Sequence, residues 1–126
     1  MIKVLLTGAG GQLGKAVIKA AANTPKLALF SFNSKQLNIT DAEQVKRVFE
    51  SIKPDFCINC AAYTQVDLAE AEPDKAFAVN ELGVQNLAQT AAVHPCFIVL
   101  ISTDYVFDGT KNKPYFPEDS TAPINV

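Results

Sequence analysis

The first fourteen residues, Met1–Gly14 (MIKVLLTGAGGQLG), constrain the fold of this chain more than any other stretch. Apart from Lys3, residues 2–6 are apolar, which indicates a parallel strand buried on both faces. A glycine-rich turn follows, and from Leu13 apolar residues recur at helical spacing. A strand, a glycine turn and a helix in this order are the context in which such glycines indicate dinucleotide binding.

The glycines have a physical reason in this context. The first turn of a helix leaves backbone N–H groups unpaired and carries partial positive charge, so a pyrophosphate can bind there if no Cβ atom obstructs it. The spacing is Gly8-x-x-Gly11-x-x-Gly14, with Gly10 in addition, and Gly14 would let the helix pack closely on its strand. The alternative is a glycine-rich turn without a ligand.

Bulk composition excludes several classes of protein. The chain has 126 residues, of which 48% are hydrophobic, enough for the core of about one domain. Its net charge is −2 without a basic cluster, so no nucleic-acid partner is expected. No run approaches the about 20 apolar residues of a membrane span, and the N-terminus lacks the features of a signal peptide. These observations predict a cytoplasmic protein.

Two clusters contain residue types that bind metals elsewhere, and neither predicts a metal site. Cys57, Cys60 and Cys96 lie in apolar, strand-like runs, which favours buried reduced thiols over a redox or metal pair. An acidic cluster has no histidine or cysteine to join it and falls on a solvated helical face. It comprises Asp67, Glu70 and Glu72.

Strand and helix patterns alternate along the rest of the chain. Further strands are predicted at residues 28–32, 56–61 and 97–101. Helices are predicted at residues 41–52, 66–72 and 73–93. This alternation predicts an α/β fold, a Rossmann-like doubly wound parallel sheet with helices on both faces, forming one NAD(P)-binding domain over residues 1–126. Polar segments follow each strand, at the carboxyl edge where such sheets bind ligands.

Five motifs carry a resemblance to a known family. TGAGGQLG, LNIT, NCAAYTQVDLAE, VNELG and STDYVFDG resemble the extended short-chain dehydrogenase/reductases, and within them the dTDP-4-dehydrorhamnose reductase family. The resemblance covers essentially the whole chain. It implies NADP(H)-dependent reduction of a dTDP-4-dehydro sugar in deoxysugar and cell-surface polysaccharide biosynthesis. The alternatives are a non-catalytic NADP-binding regulatory subunit and an epimerase or dehydratase of the same superfamily, against which STDYVFDG counts.

The resemblance also implies roles for individual residues. Thr103 takes the place of the catalytic Ser/Thr, and it borders the sugar nucleotide together with Asp104 and Tyr105. Asn80 helps to fix the active-site backbone. The implied cofactor-binding residues are Gly8, Gly11, Gln12, Leu13, Ser31, Asn38, Ile39, Ala61, Ala62, Tyr63 and Thr64.

Two departures from the family pattern matter. In relatives a Y-x-x-x-K motif, which holds the proton-donating tyrosine, follows P-x-N-V directly. We therefore expect the proton-donating tyrosine and its lysine to follow Val126. We also expect residues 1–126 alone to be inactive. Relatives also have Asp where Asn38 stands, accepting a bond from the adenine amine. We expect the Asn38 amide oxygen to accept the same bond more weakly.

The end of the second strand bears on the choice of cofactor. An acidic residue there would bind the ribose 2′-hydroxyl and repel a 2′-phosphate, and the stretch Ser31–Lys35 contains none. Lys35 is placed to pair with a phosphate, which predicts NADP(H) with NAD(H) also tolerated. The alternative is that Lys35 is an ordinary solvated lysine. The sequence leaves a homodimer open.

Overall fold

The computed structural model describes residues 1–126, and its centre is one parallel sheet of four strands. The strands are β1 (Ile2–Thr7), β2 (Leu27–Phe32), β3 (Phe56–Asn59) and β4 (Phe97–Leu100), in the order β2-β1-β3-β4. In register, Leu5 of β1 lies opposite Phe30 on one side and Cys57 on the other. The chain therefore winds outward from β1 in both directions, which confirms the predicted doubly wound α/β sheet.

Helices cover both faces of this sheet. They are α1 (Gln12–Ala21), α2 (Ala42–Ile52), α3 (Val66–Ala71), α4 (Pro73–Phe77) and α5 (Val84–Val93), with a π-helical segment (Ala78–Gly83) between the last two and a 3₁₀ turn at Asp104–Val106. Right-handed crossovers in opposite directions place α1 on one face and α2 and α5 on the other. None of these helices combines the length and the apolar character that crossing a bilayer would need.

Local chemistry sets the ends of α2 where the sequence predicts them. The Asp41 carboxylate accepts hydrogen bonds from the backbone N–H groups of Glu43 and Gln44, at 3.0 and 3.1 Å. At the other end Lys53 adopts a left-handed conformation with φ of 51°. These bonds to backbone amides, Gln44 first, hold the pKa of Asp41 below its usual range.

Three predicted boundaries were wrong. Helix 73–93 is interrupted by the π-helical segment, because the spacing of apolar residues does not reveal a wider turn inside a helical run. Strands β3 and β4 end at Asn59 and Leu100, earlier than predicted. After Asn59 the chain turns, and the Asn59 side chain accepts a hydrogen bond from the Ala61 N–H at 3.1 Å.

The core lies between the sheet and the α2/α5 layer. Within β1, Val4, Leu5 and Leu6 are buried, as predicted, and Thr7 is buried as well, whereas Ile2, which was also predicted to be buried, is 49% exposed. One cluster joins the sheet to both helices and to the loop after β2. It consists of Leu5, Leu37, Ile39, Val45, Phe49, Cys57, Leu87 and Ala91.

The α1 side of the sheet is covered less completely. Phe56 and Phe97 stack with ring centroids 5.6 Å apart, yet Phe97 stays 74% exposed. Of the three cysteines, all free thiols, only Cys57 is fully buried, and burial raises its pKa to about 12. Cys60 and Cys96 are half-buried because they lie just outside β3 and β4, so the prediction of three buried thiols was wrong for these two.

Close packing at Gly14 generates the first prediction. A Cβ at Gly14 would meet the Gly8 carbonyl oxygen and the Ala9 backbone, so Gly14→Ala should push α1 away from the turn. We expect a loss of about 1–3 kcal/mol in the free energy of unfolding, measured by urea titration. Gly10→Ala is the matched control, because its Cβ would meet only the Asn33 Cβ, at 3.7 Å. Equal stability of the two variants would contradict this account of the packing.

Candidate functional site

The glycine turn lies at the carboxyl end of β1, as the sequence predicts. Gly8 has a φ of 68°, and its carbonyl oxygen accepts a hydrogen bond from the Gly11 N–H at 3.1 Å. The Ala9 N–H donates to the Phe32 carbonyl oxygen at 3.0 Å, which ties the turn to the end of β2. The turn is therefore held by backbone bonds on two sides.

The start of α1 is open to a ligand. No side chain caps this end, and no acidic residue lies in its first turn, so its N–H groups are left for an anion. Gly10, Gly11 and Gln12 are exposed, and Leu13 is 44% exposed.

The four glycines of this region divide into two kinds. A Cβ at Gly8 would collide with the backbone of Cys60 and Ala61, and Gly14 is equally crowded. At Gly11, by contrast, a Cβ would meet only the Gly8 carbonyl oxygen, at the ordinary distance of 3.5 Å. The fold thus requires Gly8 and Gly14 but leaves Gly10 and Gly11 free to carry side chains. The fold does not need glycine at these two positions, and both lie beside the uncapped start of α1. Their missing side chains leave room for a group that must approach the backbone closely.

The turn after β2 lies beside the glycine turn and is closed by Asn33. The Asn33 Oδ1 atom accepts hydrogen bonds from the N–H groups of Lys35 and Gln36, both at 3.0 Å, and the Gln36 side chain accepts one from the Asn33 N–H at 2.9 Å. Lys35 is exposed and forms no ion pair. Ser31 lies within β2, opposite Leu6, and not in this turn.

The loop of residues 37–40 continues along the same edge. Leu37 and Ile39 are buried, and Asn38 between them is exposed. The Asn38 Oδ1 atom accepts hydrogen bonds from the Thr40 N–H at 3.1 Å and the Thr40 hydroxyl at 2.7 Å. Thr40 thus occupies the oxygen that was expected to accept a bond from adenine, and the NH₂ group is the end of the amide that remains free.

Two residues that the sequence did not single out hold this loop in place. The buried Asn86 side chain of α5 donates to the Ile39 carbonyl oxygen at 2.9 Å. A Cβ at Gly83 would fall within 2.6 Å of the Ile39 side chain, so Gly83 leaves the space that Ile39 occupies. The sequence does contain a signal for Asn86, because it is a polar residue on the apolar face of a predicted helix.

Residues 61–64 follow β3 at the centre of the carboxyl edge. The Thr7 hydroxyl donates to the Asn59 Oδ1 atom at 2.6 Å, a buried bond between the ends of β1 and β3. Further along, the Asn80 side chain accepts from the Tyr63 N–H at 2.8 Å and donates to the Tyr63 carbonyl oxygen at 3.0 Å. Asn80 lies in the π-helical segment, an irregularity found frequently at functional sites. Ala62 and Thr64 are exposed on either side of this fixed point.

The Tyr63 side chain is engaged with charged neighbours. Its hydroxyl donates to the Glu72 carboxylate at 2.7 Å, and that carboxylate pairs with Lys75 at 2.6 Å. Desolvation, and then the bond to Glu72, raise the pKa of Tyr63, whereas Lys75 and then Tyr63 lower the pKa of Glu72. A tyrosine with a raised pKa that already donates its proton to a carboxylate is unsuited to be a general acid.

Thr103, Asp104 and Tyr105 follow β4 on an exposed turn. The Thr103 Oγ1 atom accepts a hydrogen bond from the Tyr105 N–H at 3.2 Å, and the hydroxyl lies 3.4 Å from the Asp104 carboxylate. The Thr103 hydroxyl is thus oriented by its own turn but bound only weakly as a donor, so it can donate to a ligand.

The segment after this turn is fixed by aromatic and charged contacts. Tyr115 stacks on Phe107 with ring centroids 4.3 Å apart, and its hydroxyl donates to the Asp108 carboxylate at 3.2 Å. Lys111 pairs with Asp119 at 2.5 Å, which joins the two ends of this segment.

One surface cavity lies away from these loops. It opens at the amino ends of the strands and is lined by Met1, Ile2, Phe56 and Phe97 among others. The polar loops described above all lie at the opposite edge of the sheet, so the candidate site is the shallow carboxyl edge.

Comparison with known proteins agrees with this geometry. A dTDP-4-dehydrorhamnose reductase of Aggregatibacter actinomycetemcomitans is 42% identical over 126 residues, covering 100% of this chain and 43% of that protein. The crystal structure of a dTDP-4-dehydrorhamnose reductase from Bacillus anthracis in complex with NADP matches with a TM-score of 0.94 and 41% identity, covering 99% of this chain and 45% of that one. The rat methionine adenosyltransferase 2 subunit beta is 38% identical over 130 residues, covering 98% of this chain and 39% of that protein.

This chain therefore spans less than half the length of these relatives. The family model described as the RmlD substrate binding domain matches residues 2–126. Because that match includes almost every residue, the chain belongs to the RmlD substrate binding domain family.

Proposed function

We propose that these residues form the NADP(H)-binding part of a reductase that converts a dTDP-4-dehydro sugar, dTDP-4-dehydrorhamnose, into the corresponding alcohol. The observation that carries the proposal is the uncapped start of α1 beside Gly10 and Gly11, two exposed glycines whose missing side chains the fold does not explain. The NADP complex of the Bacillus anthracis relative supports the same choice of cofactor.

In this arrangement the dinucleotide lies along the carboxyl edge of the sheet. Its pyrophosphate binds the N–H groups at the start of α1, with Gln12 and Leu13 beside it. Its adenosine half extends over the end of β2, where the ribose binds in such folds. Ile39 and Asn38 border the base there, and Ser31 lies below the ribose within β2. Its nicotinamide half passes residues 61–64 toward β4.

The chain's own residues then position the carbonyl group of the sugar. When bound, the cofactor supplies the hydride that reduces this carbonyl carbon. The Thr103 hydroxyl donates a hydrogen bond to the carbonyl oxygen as negative charge develops on it. Asp104 and Tyr105 border the sugar nucleotide, and Asn80 fixes the backbone at Tyr63 between the two ligands.

The proton for the product alcohol comes from a residue outside this sequence. Tyr63 is bound to Glu72, Tyr115 is stacked and bound to Asp108, and neither these nor Tyr105 has a lysine four residues on. We therefore propose that residues 1–126 bind the cofactor without turnover and that the whole protein supplies the acid. The similarity to the rat subunit does not favour a regulatory role, since the two reductases described above share higher identity with this chain, 42% and 41% against 38%.

Thr103 provides the test of this function. In the whole protein, Thr103→Val should lower kcat for NADPH-dependent reduction of dTDP-4-dehydrorhamnose about a hundredfold, because one oxyanion donor is lost. The Kd for NADPH should stay unchanged, and Thr24→Val, in the turn between α1 and β2, should leave both values unaltered. NADPH binding without any reduction by the unmodified whole protein would overturn the enzymatic proposal.

Lys35 tests the choice between the two nicotinamide cofactors. If the exposed Lys35 ammonium pairs with the 2′-phosphate, Lys35→Glu should weaken NADPH binding about tenfold and leave NADH binding unchanged. Fluorescence titration of both cofactors measures the ratio. Lys26→Glu is the matched control, because it makes the same change of charge at the amino end of β2. An equal effect of the two variants would show that Lys35 is an ordinary surface lysine.

A further inference from the structure

The loop of residues 37–40 presents a single side chain outward, that of Asn38. Its flanking residues, Leu37 and Ile39, are 3% and 4% exposed. The loop backbone is held at two points, since the Asn38 N–H donates to the Gln44 side chain at 3.2 Å and Asn86 donates to the Ile39 carbonyl oxygen at 2.9 Å. Asn38 is therefore an exposed group on a well-fixed support.

The orientation of the Asn38 amide is determined by Thr40. A backbone N–H can only donate, so the Asn38 atom 3.1 Å from the Thr40 N–H must be the oxygen. The same oxygen lies 2.7 Å from the Thr40 hydroxyl. The two ends of an asparagine amide are often hard to tell apart, but here a flip would bring two donors together. The Asn38 Nδ2 group is therefore the end left free, and it forms no hydrogen bond within the protein.

An aspartate in this place would present the opposite chemistry. One carboxylate oxygen would accept from Thr40 and the second would remain an acceptor, which matches the amino group at position 6 of adenine. The free end of Asn38 is an NH₂ group, which only donates. It cannot bond that amino group as an acceptor, but it can donate to an oxygen at the same position of a purine.

We propose that Asn38 makes the base subsite selective for a hydrogen-bond acceptor at purine position 6, so that a dinucleotide carrying hypoxanthine binds at least as tightly as one carrying adenine. The inference rests on the proposed function, which places the base beside Asn38. It follows because hypoxanthine carries a carbonyl oxygen at position 6, whereas adenine offers the Asn38 NH₂ group only its ring nitrogens.

Two cofactors and two proteins test the inference. NADPH and reduced nicotinamide hypoxanthine dinucleotide phosphate are titrated against the unmodified protein and Asn38→Asp, and the ratio of their Kd values is compared. The unmodified protein should bind the hypoxanthine cofactor equally well or more tightly. Asn38→Asp should favour NADPH by about tenfold, the factor typical of one hydrogen bond to a charged group gained or lost.

The ratio separates this inference from the proposed function. Asn33→Asp is the matched control, because it adds the same charge to the neighbouring turn and should weaken both cofactors equally, leaving their ratio unchanged. If neither cofactor binds the unmodified protein, the proposed function fails. If both bind and Asn38→Asp leaves the ratio unchanged, or if the unmodified protein prefers NADPH several-fold, the cofactor site stands and the role of Asn38 is refuted.

Discussion

The close approach of the glycine turn to the chain leaving β3 is the constraint on which the site depends. Gly8 lies against the backbone of Cys60 and Ala61, and Gly14 lies against Gly8 in turn, so no side chain fits between these segments. The buried bond from Thr7 to Asn59 joins the same two strand ends. As a result, the start of α1 and residues 61–64 form one surface at the centre of the sheet's carboxyl edge.

Asparagine side chains hold the loops of that surface. Each of them forms a hydrogen bond with a backbone group in a loop that lies wholly or partly outside the hydrophobic core. The bonds satisfy polar groups that would otherwise be unpaired near the core, and they fix the loops before any ligand binds. The five residues are Asn33, Asn38, Asn59, Asn80 and Asn86. A preorganised edge of this kind avoids the cost of ordering loops when a dinucleotide binds.

The sequence predicted the architecture and the edge of the sheet at which the glycine turn and the polar loops lie, because both follow from local patterns. Apolar runs, a glycine turn and the Asp41 cap can be recognised in the sequence itself, and they predicted the parallel sheet and the ends of α2. The orientation of the Asn38 side-chain amide could not be predicted from the sequence, because it depends on a hydrogen bond from Thr40 that forms only in the folded loop. The role of Gly83 was missed for the same reason, since it is a contact across 44 residues with Ile39.

The most direct test of this account is an NMR titration of the ¹⁵N-labelled protein with NADPH. Binding at the start of α1 should shift the amide signals of Gly10, Gly11, Gln12 and Leu13 first and most strongly, with smaller shifts at residues 61–64. Shifts confined to the opposite edge of the sheet, around Ile2, Phe56 and Phe97, would contradict the central claim that the uncapped helix start and its glycines bind the pyrophosphate.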